Sequence, residues 1–384
     1  MRALFLTQSR FPGNSAECNR RVLLARLFSL NNIEVLVCGL GDYTGDQICN
    51  YKGVDYISLR SNSKSLVHRV WDRLIINNHR IHDTLKKYGP FDYIVVFGCS
   101  NSALHRLKKY AKIHKVTLVH DSVEWYVPDQ LKGGRWNPDF RQNQAWNTKL
   151  IDNRFKVIAI SRFLERNFQN RGIETLYLPA VTNTQTSSNI KNLDENLVEI
   201  IYAGSPGKKD YLKTVIQSYA MIDAEERKKS QLTLIGVNEK ELIEICEVPM
   251  EILDSVRDNL VIKGRISHED VLSEYQKANF SILIRPENQI YAKAGFPTKV
   301  PESLATGTPV ICNLTSDLGD FLVDEENALI AKDESVESVK DVLQRAIHLT
   351  LEQREHMCAC ARKTAEDCFD YRLYTKAMGD FLRR

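Results

Sequence analysis

Short apolar, β-branched runs alternate along the chain with longer amphipathic stretches. ALFLT (3–7), IEVLVC (33–38), DYIVVFG (92–98), VTLVH (116–120), VIAIS (157–161) and TLYLP (175–179) lack polar alternation and predict strands buried on both faces. Between the first two, Glu17 to Leu30 carries Val22, Leu23, Leu27 and Leu30 at helical spacing. The segment VTNTQTSSNIKNLDEN (181–196) has no apolar period and predicts a linker. A second series follows: VEIIYAG (198–204), LTLIG (232–236), LVIKG (260–264), FSILI (280–284), PVICN (309–313) and ALIA (328–331). The pattern predicts an α/β protein of two doubly wound domains, 1–180 and 197–366, with parallel sheets covered by helices. Ligands of such sheets sit beyond the carboxyl ends of the strands, and the cleft between two such domains is the expected site.

The length of 384 residues suits two domains, and 43% hydrophobic with 26% charged residues are globular values. No apolar run approaches the roughly 20 residues that span a bilayer. The opening MRALFLTQSRFPG turns polar too soon for a secretory signal and reads as a first strand. Nine scattered cysteines, an odd number, predict free thiols in a reducing cytosol. Cys358 and Cys360 have no companion pair for a zinc site.

Charge adds one asymmetry. From Arg60 to Lys115 twelve Lys/Arg stand against three Asp, although the whole chain is only +3. This region predicts an anionic partner. Leu66, Val70, Trp71, Leu74 and Ile75 share a helical stretch with Arg69, Arg73 and Arg80. Such a helix suits an anionic membrane surface; it equally suits packing on the sheet with a solvated basic face. No nucleic-acid reader motif accompanies the charge, so nucleic acid is not the expected partner.

Candidate chemistry clusters at the strand ends. AGSPGKKD (203–210) places Gly204, Ser205, Lys208 and Lys209 after a strand, where backbone N–H groups and two lysines suit a diphosphate. The alternative is a polar turn with Asp210 as helix cap. VTLVHDSVEWY (116–126) ends a strand with His120, Asp121 and Glu124, placed to support a sugar or orient a hydroxyl; strand capping and a surface acid are the alternative. SRFPGNSAECNRR (9–21) brings Gly13 to the start of the first helix, where a close backbone approach or a plain turn both fit. In GRISHED (264–270) Ser267 and Asp270 predict a capping box, and Arg265 with Ile266 offers backbone groups to a base. AGFPTKVPESLATGTPVI (294–311) sets Glu302 in the first turn of a helix, where a carboxylate is favoured in any case and where it is also suited to ribose hydroxyls. No D-x-D pair exists to clamp a metal–diphosphate, so phosphate charge falls to Lys, Arg and helix ends, and no metal site or cofactor is expected.

In order and spacing, SRFPGNSAECNRRVLLARLF, VTLVHDSVEWYVPDQ, VIAISRFLERNF, IIYAGSPGKKDYL, IKGRISHEDVLSEY and AGFPTKVPESLATGTPVI resemble the retaining GT-B glycosyltransferases of the family 4 type, especially bacterial exopolysaccharide, capsule and O-antigen enzymes. The resemblance implies two Rossmann-like domains and a C-terminal helix, within 367–384, that crosses back to the first. It implies a nucleotide-sugar donor as substrate, UDP-sugar before GDP-sugar, and a saccharide acceptor on a polyprenyl diphosphate at the inner face of the cytoplasmic membrane. Carried over, Glu302 matches the ribose-binding acid, Lys209 with Lys208 the diphosphate lysine, and His120 the histidine on the donor sugar. Gly13 matches the loop near the diphosphate, and Arg265 and Ile266 match the base segment. Phe296, Thr298 and Lys299 belong to the same donor motif. The chain departs twice: Ala294 stands where the family has a first glutamate, and Ser205 where an arginine is usual. Glu287, Lys293 or Arg285 are the substitutes in reach. A non-catalytic sugar-nucleotide-binding subunit and a sugar-nucleotide epimerase are the competing expectations.

Overall fold

The computed structural model describes residues 1–40, 44, 47–58, 77–186, 191–205 and 209–384, without the side chains of 77–80 and 186. It divides into two compact units, Met1–Pro179 with Tyr371–Arg384, and Ala180–Asp370.

The first unit is built on β1 (Arg2–Arg10), β2 (Glu34–Leu40), β3 (Cys49–Tyr51), β4 (Val54–Ser58), β5 (Tyr93–Val96), β6 (Thr117–Ser122), β7 (Phe155–Ala159) and β8 (Thr175–Tyr177). Their order is β3-β4-β2-β1-β5-β6-β7-β8, parallel except for the β3–β4 pair. That edge hairpin is missing from the sequence reading because CNY and VDYIS are short and polar. The helix Ala16–Ser29 is capped by Ser15, whose hydroxyl accepts from the Cys18 N–H, and it buries Val22, Leu23, Leu24, Leu27 and Phe28. The last helix, Thr375–Arg383, belongs to this unit. Asn31 Nδ2 donates to the Thr375 carbonyl at 3.0 Å and Tyr93 to that of Leu382 at 3.3 Å.

The second unit holds β9 (Val198–Ala203), β10 (Ser230–Ile235), β11 (Leu260–Gly264), β12 (Phe280–Leu283), β13 (Val310–Asn313) and β14 (Ala328–Ala331), all parallel in the order β11-β10-β9-β12-β13-β14. Ile200, Leu232, Leu234, Phe280, Ile282 and Leu329 form its core with helix residues Val215, Ile216, Val339 and Leu343. Winding reverses between β9 and β12, the position where such sheets open a ligand crevice. The segment 181–196 belongs to this unit and is anchored in it. Lys191 Nζ donates to the Tyr275 carbonyl at 3.0 Å, and Arg354, only 2% exposed, to the carbonyls of Asp194 and Glu195 at 2.9 Å each. Its polar composition reflects backbone satisfied by buried cations. Residues 187–190 of it lie outside the described residues.

The ends of β9, β10 and β11 are joined through glycines. Gly204 N–H donates to the Ile235 carbonyl at 2.9 Å and Gly236 N–H to that of Gly264 at 2.6 Å. Gly236 has φ +87, and a Cβ there would run into the Gly204 carbonyl. Gly236→Ala is expected to cost about 2 kcal/mol or more in urea-induced unfolding, from combined backbone strain and that clash.

Candidate functional site

A cluster of charged side chains lies at the switch point of the second sheet. Asp210, 7% exposed at its side chain, accepts from Arg285 Nε at 2.8 Å and from the Tyr202 hydroxyl at 2.8 Å, and it pairs with Lys299. Tyr202 lies on β9, Arg285 follows β12, and Lys299 opens the helix Lys299–Ala305. Burial alone would push the Asp210 carboxyl up; Lys299 and Arg285 outweigh it and hold it well below the usual carboxylate range. The same burial, with Arg285 beside it, lowers Lys299, while Asp210 opposes the shift. The Lys299 ammonium sits 4.2 Å from the centre of the Tyr202 ring and lies against Gly204, where any side chain would displace it. Asn313 fixes Arg285 by accepting from its N–H at 2.9 Å and donating to its carbonyl at 2.7 Å. Asp210 is therefore not a helix cap: the helix is Leu212–Ala220, its cap residue is Tyr211, and the carboxylate turns inward to cations.

Glu302 stands one turn along from Lys299. Its side chain is 19% exposed and lies 3.8 Å from His268 Nε2, in the first turn of the helix His268–Lys277. Burial pushes its carboxyl up to about 7, against the pull of Lys299. Thr298, half-buried, is the residue before that helix, and its carbonyl accepts from the Glu302 N–H at 3.4 Å. Ser267 caps its helix as expected, accepting from the Asp270 N–H at 3.1 Å, but its hydroxyl donates to the Asp270 carboxylate at 2.6 Å in place of a reciprocal backbone bond. Half-buried Ile266 packs against the buried cluster of Ile201, Ala203, Ile235, Tyr275 and Ala278. Arg265 is exposed and its guanidinium pairs with Glu241. One expectation changes here. The Phe296 ring, 4% exposed, is a core group between Phe321 and Phe369, at 5.8 Å from each, so only its backbone is left for a ligand. Ala294 is fully buried, so its position faces the core. Of the proposed substitutes, Glu287 accepts from Asn313 at 3.4 Å and Lys293 is exposed.

In the loop after β9, Ser205 is exposed and Lys209 half-buried; Lys208 lies outside the described residues. Much of the basic stretch, 60–76, lies outside them as well, and with it the expected helix that carries Arg69 and Arg73.

In the first unit, His120 is 5% exposed and packs against Trp146 at 5.1 Å between ring centres. Its Nδ1 lies 3.0 Å from the Val96 carbonyl, and burial lowers its pKa. A carbonyl only accepts, so Nδ1 carries the proton and the neutral ring presents Nε2 as an acceptor. Asp121, 3% exposed, is taken up by Arg20, whose Nε and Nη2 approach it at 2.9 and 2.8 Å. Asp121 thus ties the first helix to β6 and is not a free acid for chemistry. Glu124 is half-buried; its carbonyl accepts from Asn143 and Asn147, and its carboxylate holds the Tyr126 hydroxyl. Gly13 precedes the Ser15 cap of the first helix. None of the nine cysteines forms a disulfide. Among the described residues no group of three or more His, Cys, Asp or Glu could hold a metal ion, and no helix is long and apolar enough to cross a membrane.

The buried position of Glu302 gives a pH signature. Its folded pKa lies above the unfolded one, so the folded state keeps a proton that the unfolded chain has lost. The resulting penalty is absent in acid, grows from about pH 4.5, and is complete above about pH 7. Relative to Glu302→Gln, the unsubstituted protein should gain up to about 3 kcal/mol as pH falls from about 8 to 5, read from denaturation midpoints of both proteins.

Residues 183–364 match the family model described as glycosyl transferases group 1. No curated protein matches the chain. Among solved structures, sucrose-phosphate synthase from Thermosynechococcus elongatus aligns with a TM-score of 0.77 at 14% identity, over 100% of this chain and 98% of that one. Anabaena HepE, in its complex with UDP and glucose, aligns at 0.71 and 14%, over 100% and 99%. WaaG, a glycosyltransferase involved in lipopolysaccharide biosynthesis, aligns at 0.67 and 16%, over 99% of each chain. At such identities the likeness establishes the fold. The chain has the α/β GT-B architecture of these structures, and the stretch of its second unit from 183 to 364 is what matches the glycosyl transferases group 1 model.

Proposed function

We propose that the protein is a retaining glycosyltransferase. It takes a sugar from a nucleotide-sugar, a UDP-sugar by preference, to a hydroxyl of a lipid-linked saccharide in bacterial surface polysaccharide synthesis. The observation that carries this reading is the pair of cations, Lys299 and Arg285, set at the β9–β12 switch point with Glu302 one turn from Lys299. That is charge for a diphosphate beside an acceptor for ribose hydroxyls. HepE, which shares the fold, was solved with UDP and with UDP-glucose. WaaG, named for lipopolysaccharide biosynthesis, supports the surface polysaccharide assignment.

In this reading Lys299, Arg285 and Lys209 meet the diphosphate charge without a metal ion, and Ser205 and Gly204 supply backbone. Thr298 and the backbone of Phe296 line the same corner, and Arg265 and Ile266 lie along the base. The bond from the anomeric carbon to the diphosphate breaks as the acceptor oxygen bonds to the same face. The departing phosphate oxygen takes the acceptor proton. No protein nucleophile is required; positioning and electrostatic stabilisation supply the rate. In the first unit, neutral His120 with its Nε2 acceptor, Gly13 and Glu124 are the groups assigned by the resemblance to the donor. Asp121 supports the strand that carries His120. The buried, non-acidic Ala294 favours one second reading, a sugar-nucleotide-binding subunit without turnover; measurable transfer or donor hydrolysis would reject it.

A thermal-shift panel of UDP-, GDP- and CMP-sugars should single out a donor. Lys299→Ala and Glu302→Ala should each weaken that donor roughly tenfold or more, the loss of a charge-assisted hydrogen bond. Unchanged affinity in Glu302→Ala would remove the ribose role. The reading places the protein in the cytoplasm, with the basic 60–115 region on the anionic inner leaflet. Flotation with vesicles should then rise with anionic lipid and fall with salt, and flotation indifferent to both would remove the membrane contact.

A further inference from the structure

We infer that Asp210 is a positioning residue for the donor diphosphate, holding Lys299 and Arg285 together as a cation pair that the phosphates then engage. This rests on the donor-binding reading above. Three segments far apart in the chain meet at one carboxylate: the loop after β9, the end of β12 and the start of the helix Lys299–Ala305. The side chains form a gradient of exposure, with Asp210 at 7%, Arg285 at 13% and Lys299 at 21%. The anion lies deepest and the cations reach outward, so an incoming phosphate meets the positive face and not Asp210. Each partner is braced independently. Tyr202 donates to Asp210 and accepts from Lys299 at 3.1 Å, Asn313 holds the Arg285 backbone, and Tyr211 N–H donates to the Ile284 carbonyl at 2.8 Å to close the loop.

Without the carboxylate the two cations would face one another in a buried site. The groups acting on Lys299 are Asp210, Arg285 and Glu302, with the Tyr202 hydroxyl and ring in contact. Tyr275, Tyr291 and Cys246 also feel Asp210. Of these, Asp210 gives the strongest support to the ammonium. Removing it leaves burial and Arg285 to drive Lys299 towards the neutral amine, which has lost the charge that attracts a phosphate. A carboxylate that merely occupied the phosphate position would give the opposite result, since its removal would free both cations.

The test is calorimetric binding of inorganic diphosphate and of UDP, between about pH 6 and 9, to the unsubstituted protein and to Asp210→Asn. Asp210→Asn should bind both ligands roughly tenfold more weakly near neutrality, and the deficit should widen as pH rises. Asp210→Glu should recover part of the loss. Equal or tighter binding by Asp210→Asn, or a deficit constant with pH, overturns the inference. Should Asp210→Asn fail to fold, Tyr202→Phe removes only one hydroxyl from the network, and it should show the same trend at smaller size. Tyr202→Phe binding with unaltered strength at every pH overturns the inference equally. Failure of the unsubstituted protein to bind either ligand removes the donor reading and the inference together. Normal binding with an indifferent Asp210→Asn removes the inference alone.

Discussion

A buried carboxylate stays ionised only if its neighbours offset the solvation it has lost. Asp210 achieves this with one lysine, one guanidinium and one phenol. Much of the geometry at the switch point follows from that requirement. The loop after β9 must turn its carboxylate inward, Arg285 must reach it from the end of β12, and Lys299 must reach it from the start of the helix Lys299–Ala305. Lys299 has room to do so because residue 204 is glycine. The packing of Gly236 against Gly204 then holds β10 to the same corner. The arrangement is thus a consequence of satisfying one charge, and the cations that satisfy it are Lys299 and Arg285.

This arrangement accounts for one of the two departures from the resembling family. The sequence lacks an arginine after Gly204, and a reading by position finds the diphosphate loop short of charge. In the fold, Lys299 comes to lie against Gly204 from a different segment, with Arg285 on the other side of the same carboxylate. The second departure has a different character. Position 294 is buried, so an acid there would need partners of its own, and exchanging Ala294 for Glu would place an unpaired charge in the core.

What the sequence made legible were the features that act locally. Every apolar run assigned to a strand forms one, because β-branched residues without polar alternation suit a doubly covered sheet and little else. Glu302 in a first helical turn and the Ser267 cap were equally readable. The long-range pairings were not. Asp210 lies 75 and 89 residues from its cationic partners, and beside Leu212–Ala220 it has the look of an ordinary cap. Phe296 was read by its place in a motif, whereas its ring is decided by the aromatic cluster of Phe321 and Phe369. The β3–β4 hairpin escaped because an edge strand needs no continuous apolar run.

His120 and Asp121 show why neighbours in a motif need not share a task. Successive residues of a strand project to opposite faces, so β6 cannot direct both side chains into one site. Asp121 meets Arg20 and fastens the first helix; His120 meets the Val96 carbonyl and Trp146. Because a carbonyl can only accept, that contact fixes the tautomer, and burial keeps the ring neutral. The imidazole then offers a lone pair and not a charge. It is suited to receiving a sugar hydroxyl and unsuited to stabilising a departing phosphate. The contrast with the second unit is one of charge: His120 is a buried neutral acceptor, whereas the groups gathered around Asp210 are cations.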